Sequence, residues 1–282
     1  MLLEVKGIKK KYKDFQLDVD LEVREGCVTG LIGKNGAGKS TTFKAILDLI
    51  KLDSGAVFVD GYDIKTDNVN YKYDIGVVLA ESGFSGYMTI KDVVAIMKAT
   101  YPRFRKEQFI SMCEHFKLPF DKKIKEFSTG MKAKLKILTA ISYNAKLLIL
   151  DEPTAGLDVI ARQEVLDMLR KYMEQPGRSI LISSHISSDL EGLCDDIYLI
   201  DNGKIKLYEE MDSLLTNYGV IKVNEEQYVW LDKSYITDVM KENYGYKCLT
   251  NQVQYYVENC PEVVIEKAKI DDVIMLKILG NN

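Results

Sequence analysis

The stretch Gly33-Lys34-Asn35-Gly36-Ala37-Gly38-Lys39-Ser40-Thr41 constrains this chain more than any other. An apolar run, Cys27 to Ile32, leads into it, and a helical pattern carrying Phe43, Ile46, Leu47 and Ile50 leads out. Strand, glycine-rich loop and helix is the context that the phosphate-binding sequence G-x-x-x-x-G-K-[ST] requires. Gly33, Gly36 and Gly38 let the chain curl until successive backbone N–H groups point into one concavity, with Asn35 at its lip. The helix adds the positive end of its dipole at the same spot. Lys39 supplies a point charge for the outer phosphates and Ser40 a hydroxyl for Mg²⁺, with Thr41, just past the motif, as a further nucleotide-binding candidate. A plain flexible turn would need none of this chemistry. A nucleoside triphosphate is the expected ligand.

The strands and helices around this loop imply an α/β fold. Phe15, Leu17, Val19, Leu21 and Val23 alternate with polar residues, so 2–8 and 15–23 read as strands, with Tyr12 in the basic segment between them. Ala56 to Asp60 and Ile75 to Leu79 are further strands. From 89 to 144 the pattern turns helical. Ile90, Val93, Val94, Met97 and Tyr101 share one face; Phe109, Met112, Cys113 and Phe116 share a second. Met131, Leu135, Leu138 and Ser142 share a third, with Lys132 and Lys136 expected opposite it as a solvated stripe. Lys146 to Leu150 and Ser179 to Ser183 are continuous apolar runs suited to a buried parallel sheet. Asp201-Asn202-Gly203 marks a hairpin.

Beyond Thr216 the texture shifts again. The segment 217–282 lacks arginine and holds the one tryptophan and seven of the 17 tyrosines. Val253 to Val257 and Val263 to Ile265 look strand-like, and Ile270 to Leu279 reads as an amphipathic helix. A small separate α+β domain is expected, its aromatic residues serving as core because lysines do not cluster with them.

Composition narrows the partners. A net charge of −4 gives no basis for nucleic-acid binding. Five cysteines without a C-x-x-C pair argue for thiols in a reducing compartment. No apolar run approaches the ~18 residues of a membrane span, and no signal peptide is visible, so work at a membrane would need another chain to cross it.

Three further motifs carry chemistry. Leu147-Leu148-Ile149-Leu150-Asp151-Glu152 is a buried strand ending in two acids. Asp151 would hold the metal through water and Glu152 would polarise an attacking water, although alone the pair could be a helix cap. Phe127-Ser128-Thr129-Gly130-Met131 places a serine and a glycine at a helix N-terminus, an anion site or a simple N-cap. His185 closes the strand that follows.

Together, in this order and with Asp151-Glu152-Pro153-Thr154 and Ala155-Gly156-Leu157-Asp158, these motifs resemble the ATP-binding-cassette ATPases of transporters. The likeness spans about Leu2 to Leu215. It implies a phosphate-loop ATPase core with an antiparallel β subdomain and a helical insertion at about 89–144, all within 1–216, followed by the small domain 217–282. It also implies ATP and Mg²⁺ as cofactors and a sandwich of two such subunits, identical or paralogous. Lys39, Ser40, Asp151, Glu152 and His185 of one subunit would face Ser128, Gly130 and Asp158 of the other. Tyr12 matches the aromatic residue that stacks on adenine. His185 would contact the γ-phosphate, a strand-end structural histidine being the alternative. Integral-membrane permease subunits would be the partners, with the ATPase cytoplasmic and peripheral on the inner face of the membrane. Two departures stand out. The signature reads Phe-Ser-Thr-Gly-Met rather than Leu-Ser-Gly-Gly-Gln. Ala80, with Glu81 beside it, occupies the usual glutamine position, so either Glu81 takes the role or coupling runs differently.

A soluble cassette ATPase acting on ribosomes or DNA is the competing class. Only one phosphate loop is present, Gly38 and Ser128 stand too close for a coiled arm between them, and a basic surface is lacking. A nucleotide kinase would leave the second anion site and His185 without a job.

Overall fold

The computed structural model describes residues 1–66 and 69–280; positions 281–282 of the C-terminal segment lie outside it. The chain runs β1 (Leu3–Lys11), β2 (Gln16–Val23), β3 (Val28–Ile32), α1 (Lys39–Ile46), β4 (Ser54–Val59), β5 (Tyr62–Asp63) and β6 (Ile75–Val78). The helical stretch follows as α2 (Ile90–Thr100), α3 (Lys106–His115) and α4 (Thr129–Ile141). Then come β7 (Leu147–Asp151), α5 (Val159–Met173), β8 (Ser179–Ser184), α6 (Ser187–Glu191), β9 (Asp196–Asp201), β10 (Lys204–Glu210) and α7 (Met211–Asn217).

All ten strands join one sheet in the order β5-β4-β1-β2-β10-β9-β3-β8-β7-β6. β9, β3, β8, β7 and β6 are mutually parallel. β1, β2, β4 and β5 form an antiparallel wing, tied to the rest by a single pairing, Lys204 with Asp18. The parallel strands are mostly apolar and almost wholly buried because both of their faces are covered. Leu148 and Leu150 of β7, with Ile180 and Ile182 of β8, join the core under α2 to α5. Leu147, Ile149 and Leu181 point the opposite way, into the core shared with α1 and the wing. The period-two alternation of a strand thus feeds two cores at once.

In the helical stretch α2 begins with a capping box between Thr89 and Asp92. Ile90, Val93 and Met97 are buried, as are Phe109 and Cys113 of α3 and Leu135 and Leu138 of α4. Lys132 and Lys136 depart from the expected solvated stripe: both are half-buried, because the loop 80–88 lies across that side of α4. Lys134 is buried outright and pairs with Glu164 of α5 at 2.8 Å.

The C-terminal segment continues as β11 (Gly219–Val223), α8 (Glu225–Trp230), β12 (Ile236–Glu242), β13 (Gly245–Thr250), α9 (Val253–Asn259), β14 (Val264–Lys267) and α10 (Ile270–Leu279). Its antiparallel sheet has the order β12-β13-β11-β14, so β11 to β14 with α8 and α9 make a split β-α-β arrangement. Ile221, Cys248 and Tyr256 build a small core on one face. Val220 and Leu249 on the other face join α10 and α7 in the same core as the helical stretch.

Two expectations fail here. Val253 to Val257 is helix rather than strand, because Val253, Tyr256 and Cys260 recur at helical spacing and Tyr256 and Cys260 are the positions buried. The tyrosines divide between core and surface: Tyr256 and Tyr218 are buried, whereas Tyr244 and Trp230 are exposed.

Candidate functional site

β3, between β9 and β8 in the middle of the parallel strands, delivers the chain to Gly33 at their C-terminal end. A Cβ there would lie 2.3 Å from the Ile200 carbonyl of β9, so only glycine lets the loop leave the sheet this closely. Gly38, with φ +116°, caps α1 while the Phe15 ring packs against it. Lys34 pairs with Asp201 at 2.9 Å and ties the loop to the end of β9. Around the loop opens a cleft of about 330 Å³ lined by Phe15, Lys34, Asn35, Gly36, Gly38, Lys39, Ser40, Thr41 and Glu152. Ser40 is exposed at the N-terminus of α1, whereas Lys39 is buried inside the loop it serves. The Lys39 ammonium donates to the Gly33 carbonyl at 2.7 Å and pairs with Glu152 at 3.3 Å.

The acidic pair sits at the end of β7. Asp151 is buried, and its Oδ1 accepts from the Ser183 hydroxyl at 2.7 Å. The same hydroxyl oxygen accepts the Glu152 N–H at 2.9 Å, so Ser183 of the neighbouring β8 fixes both acids. Glu152 has φ +50°, the left-handed region that costs a non-glycine residue roughly 1–2 kcal/mol. That turn ends the strand and sends the carboxylate back toward the loop. Glu152 Oε2 lies 2.5 Å from His185 Nδ1 and accepts the His185 backbone N–H at 3.2 Å. One carboxylate therefore bridges the phosphate-loop lysine and the strand-end histidine. Behind it, Thr154 Oγ1 donates to Asp189 at 2.7 Å, and Asp189 also takes the Arg162 guanidinium, which fixes the turn after Glu152.

Ser128, Gly130 and Asp158 are not at this cleft. Ser128 caps α4 through the Met131 N–H, and Asp158 caps α5 through the Ala161 N–H. A Cβ on Gly130 would lie 2.8 Å from the Ala161 side chain, so the two helix N-termini stand side by side. Beside Asp158, Val159 and Ile160 are exposed apolar residues at a helix start. Tyr12 is exposed at the rim, its ring centroid 6.1 Å from that of Phe15. Ala80 is exposed, and its carbonyl accepts from Lys136 at 3.3 Å. Glu81 points outward, 91% exposed, 4.0 Å from Lys44.

Sequence reasoning missed Phe15, Ser183, Thr154, Asp189 and Arg162. Phe15 read as one of a strand's alternating apolar residues, and Ser183 as the end of a buried run. Their roles come from neighbours distant in sequence.

Comparison with known proteins identifies the family. A family model described as "ABC transporter" matches residues 17–155. The chain is 30% identical to the ABC transporter ATP-binding protein YtrB of Bacillus subtilis (strain 168), over 84% of this chain and 78% of that protein. It is 34% identical to the lantibiotic transport ATP-binding protein SrtF of Streptococcus pyogenes, over 75% of this chain and 92% of that one. Among solved structures, an ATP-binding subunit of an ABC transporter superposes with a TM-score of 0.69 at 28% identity, covering 76% of this chain and 92% of its own. The chain belongs to the ABC transporter ATP-binding proteins and is the ATP-binding, ATP-hydrolysing subunit of such a transporter.

Proposed function

We propose that two copies of this chain, or one copy and a paralogue, close on ATP and so drive membrane-spanning partner subunits. Each site is built from the phosphate loop of one subunit and the paired helix N-termini of the other. The separation of Ser128, Gly130 and Asp158 from their own phosphate loop supports this, as does the exposed pair Val159 and Ile160 beside Asp158. Lys39 and the loop N–H groups hold the β- and γ-phosphates. Tyr12, with Phe15 next to it, stacks on adenine. Ser40 and Asp151 are hard oxygen donors that suit Mg²⁺; Asp151 keeps Oδ2 free of the Ser183 bond. When bound, the metal neutralises phosphate charge and polarises the γ-phosphoryl group.

The observation that carries the reading is the Glu152 carboxylate held between Lys39 and His185. Phosphate oxygens take over Lys39, which leaves Glu152 to accept a proton from the attacking water while His185 orients it. The partner subunits engage the groove near Ala80 to Tyr101, and 217–282 is an accessory domain. The subunit works on the cytoplasmic, inner face of the membrane; no helix among the described residues is long and apolar enough to cross it.

Glu152→Gln tests the assignment. The variant should bind ATP, hydrolyse it at least ~10²-fold more slowly and accumulate ATP-bound dimers on size exclusion. Normal turnover would remove Glu152 from the general-base role.

A further inference from the structure

The short helix α6 stands directly behind His185. It has five residues, Ser187 to Glu191, and no side-chain cap at its start. A helix of that length has no stability of its own, since isolated helices need roughly 12–15 residues to persist in water. What grips α6 therefore decides where it sits.

One grip comes from α5 and the turn after Glu152. Asp189 is buried, accepts from the Thr154 hydroxyl at 2.7 Å and pairs with the Arg162 guanidinium. Arg162 also donates to the Ser188 hydroxyl at 2.8 Å, and Arg170, further along α5, donates to the Gly192 carbonyl at 3.2 Å. The other grip comes from the segment 217–282, whose α10 packs against α6. Leu190 of α6 is fully buried and shares one core with Ile270, Val273 and Leu276 of α10. Lys277 of α10 pairs with the buried Asp238 of β12 at 2.7 Å, which fixes α10 to the sheet of its own segment.

His185 has little else to hold it. Its side chain is 48% exposed, and among the described residues the hydrogen bonds of its ring and of its N–H run to Glu152. Once Glu152 turns to the attacking water, placement of the ring falls to the end of β8 and to α6. We infer that α10, packed on α6 at Leu190, positions His185 for hydrolysis, so that 217–282 serves the chemical step. The inference rests on the reading of His185 above and gives the accessory domain its task. No described residue of 217–282 lines the nucleotide cleft, so nucleotide binding does not need it. Val273 and Leu276 are thus positioning residues that act through α6, and a shift of the ring by about 1 Å is enough to cost up to ~10²-fold in rate.

The test uses the full chain, which holds two histidines, His115 on α3 and His185. Labelling histidine with ¹³C gives one ring signal to report the placement of His185 and one internal control. In Val273→Ala and Leu276→Ala, each confirmed folded by its melting curve, the His185 signal should move toward its position in the urea-unfolded chain, while that of His115 stays. Turnover should fall about 5- to 50-fold, with nucleotide affinity changed less than about threefold. Leu276→Met, which nearly keeps the volume, should restore both. Ile221→Val, in the core on the far face of the same sheet, should move neither signal. In a His185→Ala background the α10 substitutions should change the residual turnover less than about twofold, because they act through the missing ring. An unmoved His185 signal in both α10 variants, equal falls in affinity and turnover, or an undiminished effect without His185 would overturn the inference. Normal turnover of His185→Ala alone would instead remove the histidine from the reaction, and the spectra would still judge its placement.

Discussion

Replacing Ser183 with alanine isolates how the sheet holds the two acids. Ser183 is fully buried, and its hydroxyl makes two bonds: it donates to Asp151 and accepts the Glu152 N–H. The first is charge-assisted, worth about 1.5–3 kcal/mol, and losing the second leaves a part-buried N–H unsatisfied, about 1–3 kcal/mol. The removed oxygen is too small for its cavity to add much, and local relaxation recovers some of the loss. A destabilisation of about 2–4 kcal/mol is expected, a large share of a stability that is typically 5–15 kcal/mol. Function should suffer in a particular way. Ser183 does not line the cleft, so nucleotide affinity should change less than about threefold, while hydrolysis drops about 10- to 100-fold because Glu152 loses its fixed turn. Urea unfolding measures the first effect, and fluorescent-nucleotide binding with steady-state ATPase measures the second. A loss of stability under about 0.5 kcal/mol, or equal falls in affinity and turnover, would refute the claim that Ser183 positions the acids.

Three other outcomes follow from the same contacts. Gly33→Ala should cost about 3 kcal/mol and abolish ATP binding, because the added Cβ meets the Ile200 carbonyl at 2.3 Å; equilibrium unfolding and nucleotide titration check it. Ala80→Gln should change the ATPase rate or its stimulation by the membrane partner, and an unaltered rate with and without partner would show that this position does not limit coupling. Asp232 has its pKa lowered to about 2 by the Tyr255 hydroxyl and by the Ser234 hydroxyl and N–H. A depressed carboxylate stabilises above its unfolded value near 3.9 and loses that contribution as pH falls toward 2. Wild type should therefore exceed Asp232→Asn in urea midpoint at pH 7, with the gap narrowing below about pH 4 and closing only below about pH 2; a constant gap across that window would remove the linkage.

The nucleotide elements were legible because their chemistry is local. The phosphate loop, the acidic pair and the serine-glycine helix start each need a few adjacent residues at fixed spacing, and neighbouring strand and helix patterns place them. The helical stretch was legible too, since Ile90, Val93 and Met97 repeat at helical spacing and bury together. Val253 to Val257 misled because valine and tyrosine favour strands, while the burial of Tyr256 against Ile221 and Cys248 favours a helix there. Lys132 and Lys136 misled for a related reason: helical periodicity assigns them to the outer face without revealing that another loop covers it.

By itself, then, the sequence determined the pattern of a phosphate loop, a strand ending in two acids and a parallel sheet to carry them, because those are short-range patterns. Only the tertiary structure decided how the parts meet. It set Glu152 between Lys39 and His185, hung both acids on Ser183, and turned Ser128 and Asp158 away from their own phosphate loop. It also set α6 between α10 and the turn after Glu152. These contacts join residues far apart in the chain, where no spacing rule reaches and packing alone chooses the neighbour.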